Sequence, residues 1–243
     1  MISILYEDRD LIVAEKPAGV ESQSARGFEE DMVSLIRKHL QNNIHKLSPK
    51  KSTQVSTGEP PYVGVIHRLD RPVRGVMVYA KTKKAAALLS RQVQEGRMKK
   101  VYRAVVCGQP VDNCGTYVDF LWKDGKNNVS RIVDKSEAGG KEARLNYRVV
   151  DTKAAGNLLP QQPEAPLSLV EIELLTGRHH QIRVQMAGHG TPLYGDSKYG
   201  DSKKSPWAGP LALCAVRLSF FHPAGGKEMC FEIKEKGGAF DLF

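Results

Sequence analysis

The chain has 243 residues, of which 41% are hydrophobic, and this composition is typical of a folded globular protein rather than a disordered one. Its 36 basic and 27 acidic residues give a net charge of +9, which favours a polyanionic partner such as nucleic acid. No apolar run approaches the roughly 18 residues of a membrane span. The N-terminus has a strand-like pattern instead of a signal peptide, and no two of the four cysteines have C-x-x-C spacing. We therefore expect a cytoplasmic protein with reduced cysteines and no membrane segment.

The first half of the chain predicts strands at its start, then a helix and a loop. Residues 2–6 and 10–16 have the pattern of two short strands around a polar turn. Apolar residues recur at helical spacing in residues 29–42, which predicts an amphipathic helix. Residues 43–61 are polar and basic and contain three prolines, so we expect a mobile surface loop there.

A polar turn between two apolar runs is the most informative local pattern. Val65-Ile66 precedes the turn His67-Arg68-Leu69-Asp70-Arg71, and a second apolar run covers residues 76–80. This order predicts strand, turn and strand, with one carboxylate in the turn. Neighbouring arginines would keep that carboxylate ionised, and it could then be a nucleophile, a general base or a metal ligand. The structural alternative is a turn aspartate paired with a surface arginine.

The rest of the chain is richer in strands than in helices. A helix is predicted at residues 83–95, closed by Gly96, and a second at about 179–187, with Thr176 as N-cap and Gly188 or Gly190 at its end. Residues 153–166 form a second predicted loop. Strands are predicted at residues 99–107, 116–121, 128–133, 143–151, 167–175, 211–221 and 228–234. The short connections between strands indicate an α+β fold with a largely antiparallel sheet.

Several ordered motifs resemble those of the RluA-type RNA pseudouridine synthases. The turn His67-Arg68-Leu69-Asp70 with its following glycine is similar to the catalytic motif of that family. Similar segments occur around it, and together they span nearly the whole chain. They are Tyr6-Glu7-Asp8, Lys16-Pro17, Lys99 to Val106, Leu175 to Val184, and Pro192 to Asp196.

The resemblance implies one catalytic domain over residues 1–243, without the N-terminal RNA-binding module that many relatives carry. It implies a mixed sheet flanked by helices and loops, with the active-site cleft across the sheet. The family isomerises uridine in RNA to pseudouridine and needs no metal or other cofactor. The expected partner is RNA, either an rRNA or a tRNA stem-loop, and the expected state is a monomer.

The resemblance also places the functional residues. Asp70 corresponds to the essential aspartate, Tyr102 to the active-site tyrosine and Arg183 to the active-site basic residue. We expect Arg183 to orient Asp70, because a guanidinium binds a carboxylate through two hydrogen bonds. We expect Tyr102 to stack on a flipped uracil. The predicted substrate-binding residues are Arg68, His67, Arg178 and Lys100, where Arg178 is a phosphate contact or a loop anchor. No metal site is predicted, although His179, His180 and His189 lie close in sequence.

Two other classes of function compete with this one. A non-catalytic RNA-binding or ribosome-assembly protein could keep the same fold, but it has no need of a carboxylate in an RNA cleft. A hydrolase of nucleoside bonds would usually show more than one acidic residue in recognisable motifs. The turn Pro72-Val73-Arg74-Gly75 also departs from the family, where many members have Thr-Ser-Gly. This change leaves open whether rRNA or tRNA is the substrate.

Overall fold

The computed structural model describes residues 2–24, 30–47, 60–154, 166–200 and 209–243. Within these ranges it contains eleven β-strands, three α-helices and a C-terminal 3₁₀ segment. The chain divides into two compact units: unit 1 is Met1–Met98 with Ser219–Phe231, and unit 2 is Lys99–Leu218 with Glu232–Phe243. Every strand pair with a described register is antiparallel. The predicted α+β class with a largely antiparallel sheet is therefore confirmed, and the single domain over residues 1–243 stays a prediction.

Unit 1 is built around two central strands. The strand β2 (Leu11–Lys16) pairs with β1 (Ser3–Glu7) on one side and with β4 (Arg74–Ala80) on the other, and β3 (Gly64–Val65) also pairs with β4. Residues 11–14 and 76–80 are buried, as expected for apolar runs covered on both faces. Because Lys16 pairs with Gly75, the end of β2 lies beside the start of β4, where the predicted functional turn finishes.

Two helices belong to unit 1, and each begins with a side chain that accepts backbone N–H groups. The Asp31 carboxylate accepts from the Ser34 N–H at the start of α1 (Met32–Leu47), and the Thr82 hydroxyl accepts from the Ala85 N–H at the start of α2 (Lys83–Gln94). The predicted end of the first helix at residue 42 is wrong, since α1 continues to Leu47. Residues 48–59 of the loop predicted at 43–61 lie outside the described residues.

Unit 2 is a meandering sheet of long strands. Its strands are β5 (Lys99–Cys107), β6 (Cys114–Asp124), β7 (Val129–Val133), β8 (Lys141–Lys153) and β9 (Leu167–Leu174), in the spatial order β5-β9-β8-β6-β7. The strand β10 (Leu213–Phe221) starts in unit 2 and continues into unit 1, and β11 (Glu228–Glu232) follows it. The predicted strand positions are confirmed, while residues 155–165 of the loop predicted at 153–166 lie outside the described part of the chain.

The helix α3 (Gln181–Gly188) packs on the sheet of unit 2. Its Gln185 amide donates to the Asp119 carboxylate at 2.7 Å and to the Ala143 carbonyl at 3.3 Å. The predicted N-cap at Thr176 is wrong, because His180 precedes the helix in a left-handed conformation with φ of 52°. The Thr176 hydroxyl instead donates to Gln181 Oε1 at 2.8 Å. Gly190, with φ of 83°, follows the end of the helix as predicted.

Candidate active site

The turn that carries Asp70 connects β3 to β4 in unit 1. Its backbone closes through a 2.9 Å hydrogen bond from the Val73 N–H to the Asp70 carbonyl. Leu69 is buried inside unit 1, whereas Asp70 is half-buried and Arg68 is exposed. The buried Leu69 side chain therefore anchors the turn, and the Asp70 carboxylate stays partly exposed.

The segment that follows β2 fixes the turn through hydrogen bonds to its backbone. The Ser22 hydroxyl donates to the Leu69 carbonyl at 2.8 Å and accepts from the Leu69 N–H at 3.0 Å. Gly19, at φ of 86°, donates its N–H to the Arg71 carbonyl at 2.8 Å, and the Arg71 Nε donates back to the Gly19 carbonyl at 3.0 Å. Both sides of Asp70 are therefore held, so the position of its carboxylate is set before any ligand binds.

A buried lysine lies behind the same turn. Lys16 has no solvent exposure, and its Nζ donates to the carbonyls of Pro17, Val20 and Arg71 at 3.0, 2.6 and 3.1 Å. Burial lowers the pKa of Lys16 to about 8, while the nearby carboxylates of Asp70 and Glu21 act in the opposite direction. The sequence analysis missed this role; the signal was a lysine followed by proline at the end of an apolar strand.

The two basic residues before Asp70 differ in their surroundings. The His67 Nε2 accepts a 3.3 Å hydrogen bond from the Val78 N–H, which ties the imidazole to β4. The exposed Arg68 side chain makes no hydrogen bond or ion pair with other described residues. Arg74, which distinguishes this turn from many relatives, pairs with Glu15 through its Nε. The substrate-binding roles of His67 and Arg68 remain predictions.

In unit 2, Tyr102 and Lys100 share one face of β5. Strand residues two positions apart point to the same side of a sheet, and the register places Tyr102 opposite Ile172 of β9, which lies opposite Tyr147 of β8. Tyr102 is buried. Lys100 is half-buried, and burial lowers its pKa below the usual lysine value. Base stacking by Tyr102 and substrate binding by Lys100 both stay predictions.

Arg183 is a buried arginine on the first turn of α3. Its Nε and Nη2 donate to the two carboxylate oxygens of Asp196 at 2.8 and 2.7 Å, and the Tyr199 ring lies 5.1 Å from its guanidinium carbon. Burial by itself raises the pKa of Asp196, but hydrogen bonds and charge from Arg183 bring it below its usual range. In the sequence, Asp196 was only the last residue of the family-like segment from Pro192 to Asp196. The pairing of Arg183 with Asp70 remains a prediction.

Arg178 lies in the loop before α3 and has the geometry of a loop anchor. Its Nε donates to the Glu142 carbonyl at 2.7 Å, and its backbone N–H donates to Gln181 Oε1 at 3.0 Å. The next residue, His179, links the loop to the β6–β7 hairpin through Ser130 Oγ at 2.9 Å and Asn128 Oδ1 at 3.0 Å. Of the two roles predicted for Arg178, this geometry favours the anchor.

The structure therefore groups the predicted site residues by unit. In unit 1, His67, Arg68 and Asp70 share one turn above Lys16. The predicted residues of unit 2 lie on β5 and on the loop and first turn around α3; they are Lys100, Tyr102, Arg178 and Arg183. No three His, Cys, Asp or Glu side chains within the described ranges are arranged as a metal site. No helix in the described part of the chain is long and apolar enough to cross a membrane.

Comparison with known proteins identifies the family. Residues 10–188 match the family model described as RNA pseudouridylate synthase. The chain belongs to this family. The matched range includes the Asp70 turn, β5 and α3. The predicted resemblance and the predicted enzyme class, an RNA pseudouridine synthase, are thus confirmed.

Relatives and solved structures agree with this assignment. The chain is 31% identical to the ribosomal large subunit pseudouridine synthase D of Zymomonas mobilis, over 95% of this chain and 68% of that protein. It is 35% identical to the protein of the same name from Neisseria meningitidis serogroup A, over 95% of this chain and 57% of that one. The structure of human RNA pseudouridylate synthase domain containing 4 superposes with a TM-score of 0.71 at 22% identity, covering 99% of this chain and 90% of that one. This last match supports the fold alone.

Proposed function

We propose that this protein converts specific uridines of ribosomal RNA to pseudouridine, with Asp70 as the essential carboxylate. The observation that carries the proposal is the fixed Asp70 turn, held from both sides by Gly19 and Ser22. The names of the two bacterial relatives support an rRNA substrate. The four described cysteines are free thiols, which is consistent with the proposed location in the cytoplasm.

The reaction is an isomerisation within one nucleotide. The bond from ribose C1′ to N1 of uracil breaks, the base turns, and a bond from C1′ to C5 forms. The Asp70 carboxylate would act on the ribose or base as a nucleophile, or would assist formation of a glycal. Each route needs an ionised carboxylate.

We further propose that the target uridine is flipped out of the RNA. An enzyme reaches the atoms of a stacked base only by extruding the nucleotide, and an aromatic side chain then stacks on it. Tyr102 is the candidate because it is a buried tyrosine of β5, and in the register of the sheet it lies opposite Ile172 of β9. Arg68 is the candidate to occupy the vacated stack, since its exposed guanidinium has no partner in the described part of the chain.

Two substitutions of Tyr102 test the stacking role. Tyr102→Phe keeps the ring, so we expect near wild-type RNA affinity, whereas Tyr102→Ala should weaken binding by about 1–3 kcal/mol, the usual value of base–aromatic stacking. Binding is measured by fluorescence anisotropy with a stem-loop that contains the target uridine. Equal affinities of the two variants would identify the ring as a core residue only.

The decisive experiment is pseudouridine mapping in total RNA from cells with and without the gene. We expect one or a few positions in large-subunit rRNA to lose modification, and to regain it with the wild-type gene but not with Asp70→Asn. If tRNA positions lose the modification instead, the substrate is tRNA and not rRNA. Unchanged RNA, together with no activity of the purified protein on transcripts, would favour the non-catalytic RNA-binding alternative.

The proposed monomer is tested by sedimentation of the purified chain with a bound stem-loop.

A further inference from the structure

Lys100 is a partly buried cation with no counter-charge among the described residues. It lies on β5, half-buried, and it makes no hydrogen bond or ion pair with any described residue. Removing an ammonium from water costs free energy unless hydrogen bonds or an opposite charge compensate it. Lysines are seldom placed in this way without a reason. The neighbouring Lys99 is exposed and points to the other face of the strand.

The loop before α3 passes next to the Lys100 amine at a residue without a side chain. Gly177 has no side chain, and a Cβ at that position would lie 3.8 Å from Lys100 Nζ. The flanking residues hold the loop in place: the Leu175 and Thr176 N–H groups donate to the Arg144 carbonyl, each at 3.2 Å, and Arg178 is anchored on Glu142. The backbone next to the amine is therefore fixed.

Lys100 also points to the same side of the sheet as Tyr102. Residues two apart on a strand are separated by about 6.6 Å. A nucleotide whose base stacks on Tyr102 would thus place its sugar–phosphate chain within reach of the amine. The RNA backbone is the one anionic group that such a substrate must bring.

We propose that Lys100 binds a phosphate of the substrate RNA next to the nucleotide that stacks on Tyr102. The proposal rests on the proposed function, since it takes RNA as the substrate. Ligand binding would provide the counter-charge that no described residue supplies, and this makes Lys100 a binding residue rather than a structural one.

Substitutions at Lys100 and Lys99 form a matched pair for the test. Each protein carries Asp70→Asn so that the RNA is not converted, and the probe is a short oligouridylate. A hydrogen bond to a charged group is worth roughly 1.5–3 kcal/mol, so Lys100→Met should weaken binding about tenfold to hundredfold. It should reduce the slope of log affinity against log salt by about 0.7. Lys99→Met should change affinity less than threefold. Equal effects of the two variants would overturn the proposal.

Neutral methylphosphonate linkages locate the contact. Replacing each phosphate of the oligouridylate in turn should reveal one position that weakens binding to the parent protein but not to the Lys100→Met variant. If no position loses its effect in that variant, Lys100 does not bind a phosphate. Gly177→Val tests the same contact while Lys100 is kept. The valine side chain would lie next to the Lys100 amine and should weaken binding at the same linkage.

The pH dependence separates a binding role from a structural one. Because the pKa of Lys100 is lowered by burial, its charge and hence RNA affinity should fall at a lower pH than an ordinary lysine would allow. Lys100→Arg should remove this loss, since arginine stays charged. An identical pH profile in both proteins would contradict the proposal. Wild-type protein that forms no pseudouridine but keeps the linkage-specific effect would refute the proposed function and leave the phosphate contact standing.

Discussion

Lys16 of unit 1 and Lys100 of unit 2 are both shielded from water, but their surroundings are opposite. Three backbone carbonyls accept hydrogen bonds from Lys16, and two carboxylates lie close enough to favour its charge. Lys100 has no such partner among the described residues, and burial alone acts on its pKa. A lysine whose three N–H groups all donate to the protein has a structural role. A lysine whose N–H groups have no acceptor among the described residues can donate to a ligand.

The regions around these lysines differ in the same way. Around Lys16, the segment from Gly19 to Ser22 fixes the Asp70 turn with backbone hydrogen bonds, so unit 1 supplies a carboxylate in a set position. The RNA contacts proposed in unit 2, Lys100 and Tyr102, are a cation and an aromatic ring, which are groups that can bind RNA without being altered by the reaction. We therefore expect substitutions in the first region to affect turnover or folding, and those at Lys100 to affect binding.

The largest effect is expected at the fixed carboxylate. Asp70→Asn keeps the size of the side chain and removes its charge, so turnover should fall by several orders of magnitude while RNA affinity stays within a few-fold. Single-turnover assays with a modified transcript measure the first, and anisotropy measures the second. More than a few per cent of wild-type turnover would remove Asp70 from the mechanism and make its turn a purely structural element.

Substitutions at Arg183 test whether unit 2 contributes to turnover as well as to binding. Arg183→Met should lower turnover by orders of magnitude if the guanidinium orients Asp70. It also leaves Asp196 buried and unpaired, which costs about 3–5 kcal/mol of folding free energy.

Asp196→Asn is the control for the Arg183 experiment, because it perturbs the same buried pair without removing the guanidinium. Chemical denaturation gives the stability of each variant, and turnover is compared under conditions where both are folded. Equal losses of turnover would restrict Arg183 to holding Asp196. A much larger loss in Arg183→Met would support its predicted contact with Asp70.

The comparison of the lysines themselves predicts a difference in stability. Lys16→Met removes one donor from three carbonyls; the Arg71 carbonyl keeps the Gly19 N–H, whereas those of Pro17 and Val20 lose the lysine, at a cost of about 1–3 kcal/mol for each buried group. Relief of the buried charge offsets part of this, so we expect a net loss of about 2 kcal/mol. Lys100→Met removes a half-buried charge that no described residue compensates, so it should not lower stability. Urea denaturation measures the free energy of unfolding of both variants. Similar losses would contradict the distinction between a structural Lys16 and a ligand-binding Lys100.

The sequence predicted the strands well because their signal is local. The alternation and length of β5 and the apolar runs of β2 and β4 need no knowledge of distant residues. The end of α1 was missed since Asn, His and Lys, which occupy its last turns, are compatible with both helix and loop. The motif residues of the site were identified through the family resemblance and not through periodicity.

What the sequence could not provide were the partners of those residues. Lys16 donates to backbone carbonyls, and every residue has one, so no side-chain pattern marks the contact. The Arg183–Asp196 pair joins residues 13 positions apart across a loop, and several acidic residues could have been the partner. Thr176 has the identity of an N-cap, but its hydroxyl is used by Gln181. In each case the three-dimensional path of the chain selects among equivalent groups.

A pH dependence of stability is also expected from Lys16, and the Lys16→Met variant isolates it. Its folded pKa of about 8 lies below the ordinary lysine value, so above pH 8 the folded protein binds fewer protons than the unfolded chain. By linkage, Lys16 makes the free energy of unfolding rise with pH between about 8 and 10, at roughly 1 kcal/mol per pH unit. The difference between wild type and Lys16→Met, measured by urea denaturation at several pH values, should therefore grow in that window. A constant difference would mean that Lys16 titrates like an exposed lysine and that burial does not lower its pKa in solution.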